Sequence, residues 1–323
     1  MAPSRKILLT GGAGFIGSHL AEALLARGEE TVILDDFNDY YAPDIKEENL
    51  RPVRADPRLT VVRGDIRDRV LIDEIFSRHR FSAVIHLAAR AGVLPSLQDP
   101  VLYQGTNVDG TLNLLEAARK AGVGRFVFAS SSSVYGDQAR QPLNEDEAGL
   151  QPVSPYGTTK LTGEHLCRMY QRLHRLPVSV LRFFTVYGPR QRPDMAIHKF
   201  SRLIWEGKEI PVFGDGSSRR DYTFVDDIVA GVIVAWEKTE GFGIFNLAGG
   251  HPVALRDLLA RLGSLLGRPV RERAEPLQKG DMKETWADVG KARRLLGFQP
   301  RTPIEAGLER FVAWFRERRP ARR

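Results

Sequence analysis

Three glycines at intervals of three, Gly11, Gly14 and Gly17, lie between an apolar run at Lys6–Thr10 and a helical pattern over 17–27. No other feature restricts the fold of this chain so tightly. A strand that turns through such a loop into a helix needs Gly11 for the tight turn and Gly17 for close helix packing. Gly14 lets the backbone approach a ligand. The helix then directs free N–H groups and its positive dipole end at the loop, a natural seat for a pyrophosphate. Phe15 and Ile16 belong to the same expected seat.

The first half of the chain repeats this rhythm. Short runs at 31–34, 59–63, 83–87, 125–129 and 178–181 are rich in β-branched or aromatic residues, and helical patterns at 68–78 and 108–121 lie among them. Such alternation implies an α/β fold, a parallel sheet covered by helices on both faces. The stretch 37–57, with Pro43, Pro52 and Pro57, reads as an insertion holding one short helix. From 183 onward Gly188-Pro189, Pro193, Pro211, Gly214-Asp215-Gly216 and Gly249-Gly250 punctuate shorter elements. A helix at 226–236 and a strand at 243–247 look like a return to the first unit. The expected division is a nucleotide-binding domain over 1–182 with a returning segment 221–249, and a smaller mixed α/β substrate-binding domain from 183–220 and 250–317. Residues 318–323 form a basic tail. Ligands of open α/β sheets bind beyond the carboxyl ends of the strands, so the site belongs between these units.

Composition removes other classes. With 42% hydrophobic and 27% charged residues in 323, the chain is neither low-complexity nor disordered. No apolar run approaches the roughly 18 residues of a membrane span, so no membrane association is expected. The single cysteine, Cys167, allows no intramolecular disulfide, and no Cys/His spacing suggests a metal. The N-terminus runs directly into the first strand without a signal-peptide pattern, which places the expected protein in the cytoplasm. Arg316, Arg318, Arg319, Arg322 and Arg323 supply much of the net charge of +7. That locates the excess in a tail and argues against a nucleic-acid surface.

Asp35-Asp36 ends the second strand, eighteen residues past Gly17. A carboxylate there accepts the hydroxyls of an adenosine ribose and repels a 2′-phosphate, and no arginine follows closely. NAD is therefore expected rather than NADP. Asp65-Ile66, after the third strand, is placed to flank the adenine. Tyr156 and Lys160 stand four apart on one helical face, where an ammonium would favour the phenolate form of the tyrosine. Ser130-Ser131-Ser132-Ser133 directly follows the fifth strand, where a hydroxyl can relay a proton.

Together these residues resemble the extended short-chain dehydrogenase/reductases, and within them the NAD-dependent nucleotide-sugar epimerases. The resemblance spans nearly the whole chain and includes His86-Leu87-Ala88-Ala89, Asn107 within Thr106-Asn107-Val108, Arg182 to Pro189, Arg220-Asp221-Tyr222 and Leu296-Gly297-Phe298. It implies a Rossmann-type doubly wound sheet, with Asn38, Leu87, Ala88, Ala89 and Asn107 added to the cofactor set. Ser131 lies 25 residues before Tyr156, the separation seen in UDP-galactose 4-epimerases. Ser131 would then be the proton relay, Tyr156 the base, Lys160 the ribose ligand and Arg220 the partner of the substrate diphosphate. Relatives that dehydrate carry an Asp-Glu pair where this chain has Ser132 and Ser133, and decarboxylating relatives typically carry a glutamate just before Val134-Tyr135-Gly136. Dehydration and decarboxylation are thus disfavoured.

Asp36-Phe37-Asn38-Asp39-Tyr40-Tyr41 with Lys46, and Thr185 with Arg192-Pro193-Asp194, look like UDP-glucuronate 4-epimerases. Ser132, Ser133, Thr185 and Arg192 would hold the sugar carboxylate, and Asp281 completes the expected substrate set. Leu94 departs from the arginine many relatives carry, which keeps a neutral UDP-hexose as the alternative substrate. Retention of Tyr156 and Lys160 argues against a non-catalytic nucleotide-binding role. Relatives commonly form homodimers through two long helices, here near 108–121 and 155–175.

Overall fold

The computed structural model describes residues 5–137, 140–276 and 283–318. The chain opens in alternation: β1 (Lys6–Thr10), α1 (Phe15–Ala26), β2 (Glu30–Asp35), α2 (Pro43–Leu50), β3 (Leu59–Arg63), α3 (Arg69–Arg78) and β4 (Ala83–His86). Next come α4 (Val93–Gln98), α5 (Pro100–Gln104), a π-helical turn (Gly105–Asp109) and α6 (Gly110–Lys120). β5 (Arg125–Ser131), α7 (Pro155–His174) and β6 (Val178–Phe183) follow. The remainder holds β7 (Thr185–Tyr187), α8 (Ala196–Glu206), β8 (Glu209–Phe213), β9 (Arg219–Phe224), α9 (Val225–Lys238) and β10 (Phe242–Leu247). It closes with β11 (Pro252–Ala254), α10 (Leu255–Leu266), β12 (Arg271–Glu275), β13 (Glu284–Thr285), α11 (Gly290–Leu296) and α12 (Ile304–Glu317).

Seven strands form one parallel sheet in the order β3-β2-β1-β4-β5-β6-β10. The strand order reverses between β1 and β4, which opens a crevice at their carboxyl ends. The apolar runs are continuous because both sheet faces are covered. Ile7 and Leu9 of β1 enter one core and Leu8 the other, and β2 divides Ile33 from Val32 and Leu34 in the same way. The insertion contains its one helix, α2, and the pattern over 108–121 becomes α6 behind a π-helical turn that buries Asn107.

β10 pairs with β6 in the large sheet, delivered there by α9. Beyond β6 the chain builds a small sheet of β11, β9 and β13, with β7 beside β9, and a pair of β12 with β8. Leu258 and Phe311 of this part share a core cluster with Ile7 and Leu9 of the large sheet. The apolar interior therefore runs unbroken between the two parts. Among the described residues no helix is long and apolar enough to cross a membrane, and no cluster of His, Cys, Asp and Glu could hold a metal ion.

Candidate active site

A cavity of about 260 Å³ opens at the carboxyl ends of the sheet, where Gly11, Asp35, Leu87, Ser131 and Phe183 meet on its wall. Gly11 has φ +71°, and a Cβ there would sit 2.7 Å from the Ala88 nitrogen, so only glycine lets the loop turn against the β4 exit. A Cβ on Gly17 would come within 2.1 Å of the Gly11 carbonyl oxygen. Gly14 caps α1 without any side-chain hydrogen bond, and the first turn of α1 carries no acid. The helix thus presents unsatisfied N–H groups to the cavity, as an anion seat requires.

At the β2 end, Asp35 accepts hydrogen bonds from the backbone N–H of Ala13 at 3.0 Å and of Phe37 at 2.9 Å. It braces the glycine loop while still lining the cavity. Burial pushes its carboxyl pKa up, opposed by the Lys46 ammonium 3.8 Å away. Lys46 stands equally close to Asp36, whose Oδ1 also accepts from the Asn38 backbone and side chain. Asp65, Ile66, Ala88 and Ala89 complete this end of the wall.

The opposite end carries the reactive groups. Ser154 accepts from the Gly157 N–H at 3.1 Å and, with Pro155 at the first turn, starts α7 so that Tyr156 and Lys160 face the cavity. Lys160 Nζ donates to the Ala129 carbonyl at 2.7 Å and lies 5.1 Å from the Phe128 ring. Burial lowers its pKa to about 8. Burial raises the Tyr156 phenol, while a hydrogen bond from Ser131 and the charge of Arg192 pull it down. The sequence expectation had Lys160 stabilising the phenolate. Here the ammonium donates to a backbone carbonyl, and Arg192 adds a second cation whose charge favours the phenolate. Behind this end, Glu164 accepts two bonds from Arg182, at 2.9 and 2.7 Å, and one from Ser130, joining α7 to the ends of β5 and β6.

Of the residues singled out from the sequence, Gly11, Gly14, Phe15, Ile16, Gly17, Asp35, Asp36, Asn38, Asp65, Ile66, Leu87, Ala88, Ala89, Ser131, Tyr156, Lys160 and Arg192 line the cavity. Asn107 does not. Its amide accepts from the Arg90 N–H and donates to the Arg90 carbonyl and the Thr159 hydroxyl, clamping the β4 exit to α7. Ser132, Ser133, Thr185 and Arg220 are likewise absent from the wall. Ser133 sits behind Ser131, hydroxyl to hydroxyl at 3.2 Å. Thr185 is half-buried in β7, paired opposite Tyr222. Asp281 and the tail beyond Arg318 lie outside the described residues.

Sequence reasoning left out Arg90, Thr106, Phe184 and Met195 from the wall, and gave Tyr40 and Lys46 no role. Arg90 follows directly on the His86-Leu87-Ala88-Ala89 run, which was the available signal. Its Nε is buried with no hydrogen-bond partner in the structure, an orphaned donor that an anionic ligand would satisfy. Leu94 is 62% exposed on α4, away from the wall. The glycine loop, the uncapped α1 terminus, Arg90 and the carboxylates at the end of β2 together fit a dinucleotide such as NAD.

Similarity to known proteins agrees with this geometry. Over 311 residues the chain is 42% identical to a UDP-glucuronate 4-epimerase of Thermodesulfobacterium geofontis, covering 96% of each. The fold superposes on UDP-glucuronic acid 4-epimerase from Bacillus cereus, solved with UDP-glucuronic acid and NAD, with TM-score 0.91, 36% identity and 97% and 99% coverage. It superposes almost as well on DesIV, a dTDP-glucose 4,6-dehydratase from Streptomyces venezuelae, with TM-score 0.90, 35% identity and 97% coverage of both. The profile of the NAD dependent epimerase/dehydratase family matches residues 7–248. On the glycine loop, the Ser131/Tyr156/Lys160 end and this match over most of its length, the chain belongs to the NAD dependent epimerase/dehydratase family.

Proposed function

We propose that this chain epimerises a UDP-sugar at C4, interconverting UDP-glucuronate and UDP-galacturonate without net loss of CO₂. The observation that supports the reading is that Ser131, Tyr156 and Arg192 line one cavity, whose lining carboxylates, Asp35, Asp36 and Asp65, all stand at or just beyond the ends of β2 and β3 rather than beside Ser131 at the end of β5. Elimination of water needs an acid or base that titrates near neutrality beside the sugar, and Ser131, Ser132 and Ser133 supply none. Backbone similarity does not separate these reactions, because dehydratase and epimerase superpose alike.

NAD, when bound, supplies the reversible oxidation of the C4 carbinol. The α1 N-terminus and Arg90 would hold its pyrophosphate, Asp35 and Asp36 its adenosine ribose, and Lys160 its nicotinamide ribose. Tyr156 removes the proton of the C4 hydroxyl, and Ser131 passes that proton between phenol and sugar oxygen. The 4-keto sugar then rotates in the cavity to expose its other face, and Tyr156 returns the proton. The 4-keto form of glucuronate is a β-keto acid, which loses CO₂ when the carboxylate bond aligns with the carbonyl π system. Arg192 restrains that carboxylate, with Thr185, Ser132 and Ser133 as a second rank behind the wall. Arg220 meets the nucleotide diphosphate, and residues 183–220 with 250–317 form the substrate unit.

One observation favours a second reading, a neutral UDP-hexose: Arg192 is already paired with Asp194 through two hydrogen bonds. Incubating the purified protein with NAD and a panel of UDP-sugars, with epimers resolved from CO₂-releasing products, decides between them. Efficient turnover of UDP-glucose with none of UDP-glucuronate would overturn the glucuronate assignment. We further place the enzyme in the cytoplasm as a homodimer. Support comes from a lone, buried Cys167 and from exposed Leu97, Val101, Met169 and Leu173 on α4, α5 and α7.

A further inference from the structure

Arg192 is held on one side as firmly as a bound carboxylate would hold it. Its Nε donates to Asp194 Oδ1 at 3.0 Å and its Nη2 to Oδ2 at 2.9 Å. A guanidinium has five N–H groups, so the two on Nη1 and the second on Nη2 remain for another acceptor. Tyr40 lies with its ring centre 5.3 Å from the guanidinium carbon. A two-bond fork together with a cation–π contact fixes the plane of the group as well as its position. Arg192 lines the cavity and Asp194 does not. The arginine side chain is 21% exposed, against 43% for the aspartate. The acid therefore stands on the outer side of the cation and leaves the inner side to the substrate.

We propose that Asp194 sets the charge preference of the sugar pocket: it occupies the Nε/Nη2 fork of Arg192, partly cancels its charge, and leaves the Nη1/Nη2 edge for the substrate carboxylate. This rests on the UDP-glucuronate reading above. Its physical logic lies in what epimerisation demands. The keto sugar has to rotate between two faces, so its carboxylate must change its relation to Arg192 during each turnover. A guanidinium with its full charge would bind that carboxylate tightly in the starting arrangement, and tight ground-state binding does not accelerate the step. A guanidinium free to swing would also let the carboxylate bond reach alignment with the ketone. Asp194 answers both demands, weakening the grip while holding the plane. It touches neither substrate nor cofactor, so it is a positioning residue acting through Arg192.

The test uses the full-length enzyme with NAD and two variants. Asp194→Asn keeps the size and one acceptor oxygen but removes the charge, whereas Asp194→Glu keeps the charge on a longer stem. Dissociation constants for UDP-glucuronate and UDP-glucose are measured by calorimetry, and products are analysed for CO₂ and UDP-pentose. Asp194→Asn is expected to tighten UDP-glucuronate about three- to thirty-fold, as removal of a partly screened charge near the carboxylate implies. UDP-glucose binding stays within about two-fold. The same variant should lower kcat for epimerisation and raise the fraction of substrate that loses CO₂, and Asp194→Glu should return the affinity ratio toward that of the wild type. The ratio of two constants is independent of how much of the variant is correctly folded. Equal shifts for both sugars, or an unchanged ratio, overturn the proposal while the wild type still epimerises UDP-glucuronate. A wild type that ignores UDP-glucuronate overturns the substrate reading and this inference together.

Discussion

Tyr156 is a poor base on its own, since burial raises its phenol above the ordinary value and only Ser131 and Arg192 oppose this. Its competence depends on positive charge arriving with the cofactor. Replacing it by phenylalanine removes the O–H but little volume. Tyr156→Phe should therefore lose about 10²- to 10⁴-fold in turnover with NAD affinity nearly unchanged. A wild-type rate in that variant would remove Tyr156 from the role of base. Ser131→Ala should cost less, because Ser133 lies 3.2 Å from Ser131 and is close enough to take over part of the relay. His86 makes a second residue-scale case. It is buried between the Thr10 hydroxyl at 2.7 Å and the Thr111 hydroxyl at 3.0 Å. Thr111 already donates to the Asn107 carbonyl, so Nε2 of His86 carries the proton and Nδ1 accepts from Thr10. Burial pushes the imidazole pKa down from 6.5 to about 3. Between those values the unfolded chain binds the extra proton and the folded one does not, so stability rises with pH across the window. His86 contributes fully above pH 6.5, and its contribution is lost as pH falls toward 3. Denaturant midpoints of the wild type should fall more steeply over this range than those of His86→Gln; equal slopes would exclude the histidine as the cause.

At the scale of elements, the end of β2 and the start of α1 form one device. Asp35 ties the glycine loop through Ala13 to the β2 exit through Phe37, and Lys46 of α2 neutralises part of the local charge. Asp35 and Asp36 still line the cavity, and with the adenosine ribose seated against them as proposed, a 2′-phosphate would add negative charge there. Calorimetry should accordingly show NAD binding more tightly than NADP, and equal or tighter NADP binding would contradict the ribose role of these acids. The seven strands of the large sheet, α1, α3 and the single helix of the insertion were legible from periodicity and turn residues. The double duty of Asp35 was not, because the Ala13 N–H that it accepts belongs to a loop whose path depends on β1 pairing with β2. Asn107 entered the cofactor set through the family resemblance, and the π-helical turn of Gly105–Asp109 directs its amide at the Arg90 backbone and Thr159, contacts that no spacing in the sequence shows.

For the whole molecule, Leu97, Val101, Met169 and Leu173 leave apolar surface on neighbouring helices that a single chain does not cover. Sedimentation should find a dimer that the pair Met169→Asp and Leu173→Asp converts to monomer; a monomeric wild type would remove the dimer proposal. Of the basic stretch 318–323 only Arg318 is described, and it lies near Glu48. What the sequence by itself determined is what depends on local spacing: the glycine turn, the βαβ rhythm, the Tyr156–Lys160 helix face and the hydroxyls at the end of β5. These are short-range constraints of backbone geometry and periodicity, readable wherever they occur. Only the tertiary structure decided which groups share a wall. It brought Arg90, Tyr40 and Arg192 to the cavity wall and left Thr185 and Arg220 off it. It also set the guanidinium of Arg192 where its charge favours the phenolate of Tyr156. Those outcomes follow from burial and from contacts between residues far apart in the chain, and no spacing along a sequence encodes the distance between Tyr156 and Arg192.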